Sequence, residues 1–134
     1  MASVFTQIIN GDLPGHFIYR DEICVVIMTI APTTAGHVLL IPCEEVDHWD
    51  DLNHDQLCHL MKVSQAVAKS LKSVYRPKRV AAIIAGIEVP HTHLHLIPIN
   101  EMEDMNFSKV NMVDASLLKI EAEKIRAAIK FDNI

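Results

Sequence analysis

Apolar and polar positions change rhythm several times along the chain, and each change marks an element. Val4 to Ile9 has the length of a short helix, and "NGDLPGH" (Asn10 to His16) follows with the Asn-Gly and Pro-Gly pairs that turns require. From Phe17 the residues alternate, then run continuously apolar through "ICVVIMTI" (Ile23 to Ile30), rich in β-branched side chains. That predicts a strand buried on both faces. "APTTAG" interrupts it, and "HVLLIP" (His37 to Pro42) predicts a second strand, paired antiparallel because the connection is short. Leu57, Leu60, Met61, Val67, Ala68, Leu71 and Val74 recur at helical spacing, which predicts a helix over Asp55 to Tyr75 after several candidate N-caps and before Pro77. Val80 to Ala85 and Thr92 to Ile99 read as a third and a fourth strand joined around Gly86 and Pro90. Leu118, Ala122, Ile125 and Ile129 mark a last amphipathic helix with Asp114 at its cap. The predicted class is α+β: an antiparallel sheet with one long helix and a C-terminal helix.

Composition adds limits. The 134 residues are half apolar and 22% charged, which suits one folded domain over 1–134 with its own core, and no repeat or low-complexity segment divides it. A net charge of -5 argues against a surface that coats nucleic acid, while leaving free nucleotides open as ligands. Met1 to Asn10 lacks a basic start and a long apolar stretch, and no run approaches the ~18 apolar residues of a membrane span. The expectation is a cytoplasmic protein without membrane association. Cys24, Cys43 and Cys58 are odd in number and contain no CxxC pair, so they read as reduced thiols.

The chemistry concentrates in "IEVPHTHLHLIP", where His91, His93 and His95 stand two residues apart in an apolar run. On a strand they share one face, with Thr92, Leu94 and Leu96 on the other. An imidazole buried without partners costs on the order of 1 to 3 kcal/mol, so a row of three needs a solvated face, partners or a use. Metal binding is one use, but the first and third Cα atoms would stand about 13 Å apart, too far for three adjacent rings to close on one ion with bonds of about 2 Å. Two rings could chelate with help from His37. Nucleophilic catalysis is another: a neutral imidazole whose second nitrogen is held by a hydrogen bond is a competent nucleophile, and its neighbours can donate to a phosphoryl oxygen. Spacing alone leaves these alternatives open.

"HTHLHLI", together with "FTQIINGDLPGHFIYRDE" and "APTTAGHVLLIP" in that order, resembles the histidine-triad (HIT) family across about Val4 to Pro98. The resemblance implies a small α+β subunit forming a homodimer, with the sheet continuing between subunits, and a cleft for a purine nucleotide or nucleotide conjugate. It also implies nucleotide hydrolase or nucleotidyl transferase chemistry of the phosphoramidase type, with no cofactor or metal. In it His93 attacks the α-phosphorus and forms a nucleotidyl-histidine, His91 and His95 contact phosphate oxygens or orient the rings, and His37 completes the network. Phe5, Ile8 and Ile30 match positions that line the family's base pocket. His16, His48, His54 and His59 match no triad position and read as surface or helix-face residues.

The sequence departs from the family pattern around that row. Thr29 stands where an acidic residue grips the ribose, and a hydroxyl cannot accept from two ribose hydroxyls as a carboxylate does. "VAAIIAGI" carries Val80 and Ile87 where amides are usual, and Glu88 replaces a small hydroxyl residue near the leaving phosphate. Either the substrate is unusual, with a cationic amine leaving group that Glu88 accepts, or the protein is a non-catalytic nucleotide-binding or dimeric interaction module.

Overall fold

A computed structural model describes residues 1–134, with the side chain of residue 133 left aside. Its centre is a five-stranded antiparallel sheet in the order β1-β2-β3-β5-β4, built from β1 (Phe17–Arg20), β2 (Cys24–Met28), β3 (Val38–Pro42), β4 (Arg79–Ile84) and β5 (Leu94–Ile99). Side-chain alternation divides the core in two. Val26, Leu40, Leu94 and Leu96 point to the face covered by α2 (His54–Tyr75) and α3 (Ala115–Ala128), and Val25, Ile27, Leu39 and Ile41 point to the face covered by the short α1 (Val4–Ile9).

The helical face is sealed. Leu60, Val63, Val67 and Leu71 of α2 are each at most 1% exposed, so each contributes about 1.5–3 kcal/mol of burial. Asn53 starts α2 through a capping box with Gln56, and Arg76 ends it in the left-handed conformation just before Pro77. Asp114 holds the N-cap position of α3 without a side-chain capping bond. The α+β class, the antiparallel sheet and both long helices are as the sequence predicts.

Two expectations need correction. The stretch from Phe17 to Ile30 is not one strand but a hairpin, because Asp21 Oδ1 accepts the N–H groups of Ile23 and Cys24 at 2.8 and 2.9 Å and turns the chain between β1 and β2. The last strand begins at Leu94 instead of Thr92. Thr92 donates both its N–H and its hydroxyl to the carbonyl of Val46, at 2.7 and 2.8 Å, which holds His91 to His93 in a bend before the ladder starts. Of the three histidines, only His95 lies within β5; it pairs with Leu39 in the register.

Candidate active site

The bend places each imidazole against different partners, and those partners fix its protons. His91 is fully buried, with Nε2 2.8 Å from the carbonyl of Pro42 and Nδ1 2.6 Å from Ser3 Oγ. A carbonyl can only accept, so Nε2 carries the proton and Nδ1 accepts from the Ser3 hydroxyl. Ser3 is the N-cap of α1 and its Oγ accepts the N–H of Thr6, while the Ser3 N–H and the Thr6 hydroxyl both donate to Glu45 Oε1 at 2.7 Å. The Ser3 N–H, followed by the Thr6 hydroxyl, holds the Glu45 carboxyl down at about 2. Helix α1 is thereby tied to the first histidine, and Phe5 lies edge-on to the rings of His91 and His93 at 5.8 and 4.8 Å.

His93 has one nitrogen committed. Its Nδ1 lies 2.8 Å from the carbonyl of His91, so Nδ1 donates and Nε2 keeps a lone pair with no hydrogen-bond partner among the described residues. His95 is fixed in the opposite sense. The N–H of Thr33 donates to His37 Nδ1 at 3.1 Å, His37 Nε2 then donates to His95 Nδ1 at 2.9 Å, and His95 is left with a free Nε2–H. Ring centres of His93 and His95 are 5.0 Å apart, so the ring with the bare lone pair stands beside a ring that keeps a donor. His37 is delivered by Gly36, whose φ of +86° and 2.5 Å approach to the Tyr75 ring exclude any side chain.

Burial keeps this set neutral. It lowers His37 to about 3, with His95 adding to the effect, and lowers His95 to about 4, with His93 adding. Burial is also the largest influence on His93, lowering it despite the opposing hydrogen bond that it donates to the His91 carbonyl and the charge of Glu88. All three imidazoles are unprotonated at neutral pH.

These rings open onto a cleft of about 340 Å³ whose walls include Thr29, Ala31, Ala85, Gly86, Ile87 and Glu88. Phe107 and Val110 close it from the segment after β5, with the Phe107 ring 4.8 Å from that of His95. Thr29, His37, Glu88, His93 and His95 therefore meet at one surface. His91 supports it from behind, Phe5 and Ile8 pack in the α1 core, and Ile30 is 58% exposed outside the cleft walls. Ser3, Thr6, Glu45, Phe107 and Val110 join the site without any periodic signal in the sequence.

Away from the cleft, one group among the described residues has the donors for a metal ion: Asp21, Cys24 and His59 offer ligand atoms within 4.8 Å of one another. Asp21 Oδ2 there already accepts from Tyr19 and His59 at 2.8 and 2.6 Å, and burial raises the Cys24 thiol, opposing the thiolate that a metal needs. His59 joins α2 to the β1–β2 turn through this contact. No helix among the described residues is long and apolar enough to cross a membrane.

The model of the HIT domain matches residues 10–102, which include the whole triad and His37. The chain belongs to the HIT family. An uncharacterised HIT-like protein of Methanocaldococcus jannaschii is 32% identical over 117 residues, covering 83% of this chain and 91% of that one. The adenosine 5'-monophosphoramidase of Saccharomyces cerevisiae is 31% identical over 98 residues, covering 72% of this chain and 62% of the yeast protein. Among solved structures, a HIT-like protein involved in cell-cycle regulation from Bartonella henselae superposes with a TM-score of 0.83 at 26% identity, covering 95% of this chain and 96% of its own. The α+β architecture of this HIT protein is that of the family.

Proposed function

We propose that this HIT protein is a nucleotide hydrolase or nucleotidyl transferase acting at the α-phosphate of a nucleoside phosphoramidate or related purine nucleotide conjugate. The observation that carries the reading is the tautomer pair: His93 Nε2 is unprotonated and unpartnered, and His95 Nε2–H is its neighbour. The similarity to the yeast phosphoramidase supports the same class of reaction.

In the first step the Nε2 lone pair of His93 attacks the α-phosphorus, the bond from phosphorus to the leaving amine breaks, and the amine nitrogen takes a proton from water in the cleft. The His95 Nε2–H donates to a phosphoryl oxygen as charge develops on it. The His91 carbonyl, still accepting from Nδ1–H, stabilises the imidazolium formed on His93. Water then attacks the same phosphorus, the nitrogen–phosphorus bond breaks, a proton leaves to solvent, and the nucleoside monophosphate is released with His93 neutral again. No cofactor enters these steps. Glu88, a carboxylate beside the reacting phosphate, is the one feature that favours the second reading, a module that binds nucleotides without turning them over. The functional unit of this reading is a homodimer continued through β4, which ends the sheet with Val80, Ile83 and Ile84 only half-buried.

Intact-mass measurement after brief exposure to a panel of nucleoside phosphoramidates tests the reaction. A nucleotidyl adduct is expected on the wild type and none on His93→Ala; equal labelling of both proteins removes the role given to His93. Light scattering at increasing concentration tests the dimer.

A further inference from the structure

A second hollow of about 350 Å³ adjoins the cleft, and the two share Ala85, Gly86 and Ile87 as a common wall. Gly86 is the one residue of that wall without a side chain. Its φ is +75° and a Cβ placed there would meet nothing within 4 Å, so the backbone has open space above it. The hollow is walled by Asp47, His48, Pro90 and Trp49, whose indole is 45% exposed. Neither cavity has a lysine or arginine in its walls: the carboxylates are Glu88 in the first and Asp47 in the second. Asp47 has a single ion-pair neighbour among the described residues, His48 at 3.7 Å, and its side chain stays 54% exposed.

We infer that this second hollow is the leaving-group subsite, built for an alkylamine that carries a further positive charge, with Asp47 and Glu88 as counter-charges and the Trp49 face as a cation–π platform. The inference rests on the proposed function. A phosphorus held at His93 has its leaving group directed out of the ring row, and the glycine gives it a route over the shared wall. A neutral alkyl chain gains only apolar contact with Ile87 and Trp49 there. A chain ending in an ammonium gains the carboxylates and the indole face, with no lysine or arginine in the walls to oppose it and His48 the neighbour it displaces from Asp47. The replacement of a small hydroxyl residue by Glu88 thereby becomes a specificity element.

The chain has one tryptophan, so indole emission reports this hollow alone. Two adenosine 5'-phosphoramidates serve as probes, one made from n-butylamine and one from 1,4-diaminobutane, titrated into His93→Ala protein so that no turnover intervenes. The diamine conjugate is expected to change Trp49 emission and to bind about tenfold more tightly than the butylamine conjugate. Asp47→Asn combined with Glu88→Gln should bring the two affinities within about twofold, and far-ultraviolet circular dichroism checks that these surface substitutions keep the fold. Equal affinities in the protein with both carboxylates, unchanged Trp49 emission, or binding of neither conjugate overturns the subsite. Wild-type turnover with no preference between conjugates rejects this inference and leaves the proposed function standing. A preference for the diamine conjugate with no turnover by the wild type does the reverse.

Discussion

The two faces of the sheet are held by different physics. Under α2 and α3 the contacts are apolar, sealed and periodic, with Leu60, Val63, Val67 and Leu71 meeting Val26, Leu40 and Leu94. Under α1 and the segment after β5, a set of imidazoles is held by directed hydrogen bonds, accepting from Ser3 and the Thr33 N–H and donating to the carbonyls of Pro42 and His91. One face supplies stability, and the other uses part of it to keep polar rings buried and neutral. The same strands serve both, because alternation sends Leu94 and Leu96 to one side and His95 to the other.

The largest effect on this contrast comes from the sealed face. Leu71→Ala should cost about 2–5 kcal/mol in denaturant unfolding, from lost transfer energy and a residual cavity. Activity per folded molecule should hardly change, since the cleft lies on the opposite face. Ser3→Ala should cost about 1–3 kcal/mol, by leaving the buried His91 Nδ1 without a donor. Unlike Leu71→Ala, it should also lower turnover of a phosphoramidate in the folded fraction, because the His91 carbonyl holds the tautomer of His93. Measuring unfolding and turnover on both variants separates the faces; equal activity losses per folded molecule would contradict the division.

What the sequence made legible follows the same line. The period of α2 and the parity of Leu94, Leu96 and His95 are repetitive signals, and both survive in the fold. The hairpin at Asp21 was hidden because a single carboxylate accepting two backbone N–H groups has no period and sits within a mostly apolar stretch. The bend at Thr92 is equally silent in the sequence, since its two bonds go to Val46, far away along the chain. Phe107 and Val110 reach the cleft from Asn100 to Val113, where apolar residues are scattered without rhythm. Motif likeness pointed to His37, His93 and His95 together, but no local pattern announces that Ser3 and Glu45 stand behind His91.

Acidification should act on the polar face first. The folded state holds His37 and His95 near 3 and 4, against about 6.5 for a free imidazole, so below pH 6.5 the unfolded chain binds more protons than the folded one. Their contribution to stability is complete above about pH 6.5 and is lost progressively as the pH falls through 4 towards 3. Denaturant midpoints across that range should decline, and His37→Gln should flatten the decline because one titrating ring is gone. An equally steep decline in that variant would mean that other groups control it. The acid limb of turnover should have its midpoint below pH 6.5, since burial holds His93 below the ordinary imidazole value and keeps it neutral further into acid.

The smallest effect belongs to the lid of the cleft. Phe107 is 41% exposed and touches the site through ring edges, 4.8 Å from His95 and 6.0 Å from His37. Phe107→Ala should therefore cost only about 0.5–1.5 kcal/mol, the scale of one aromatic pair. Its informative consequence is electrostatic. Removing the ring admits water to two imidazoles whose protonation is opposed mainly by burial, so both should titrate closer to 6.5. Imidazole chemical shifts followed by NMR against pH would show this upward movement for His95 more than for His37, in the order of their distances from Phe107. Titrations unchanged from wild type would mean that the strands alone keep the pair dry, and that the segment after β5 shapes the cleft without setting its protonation.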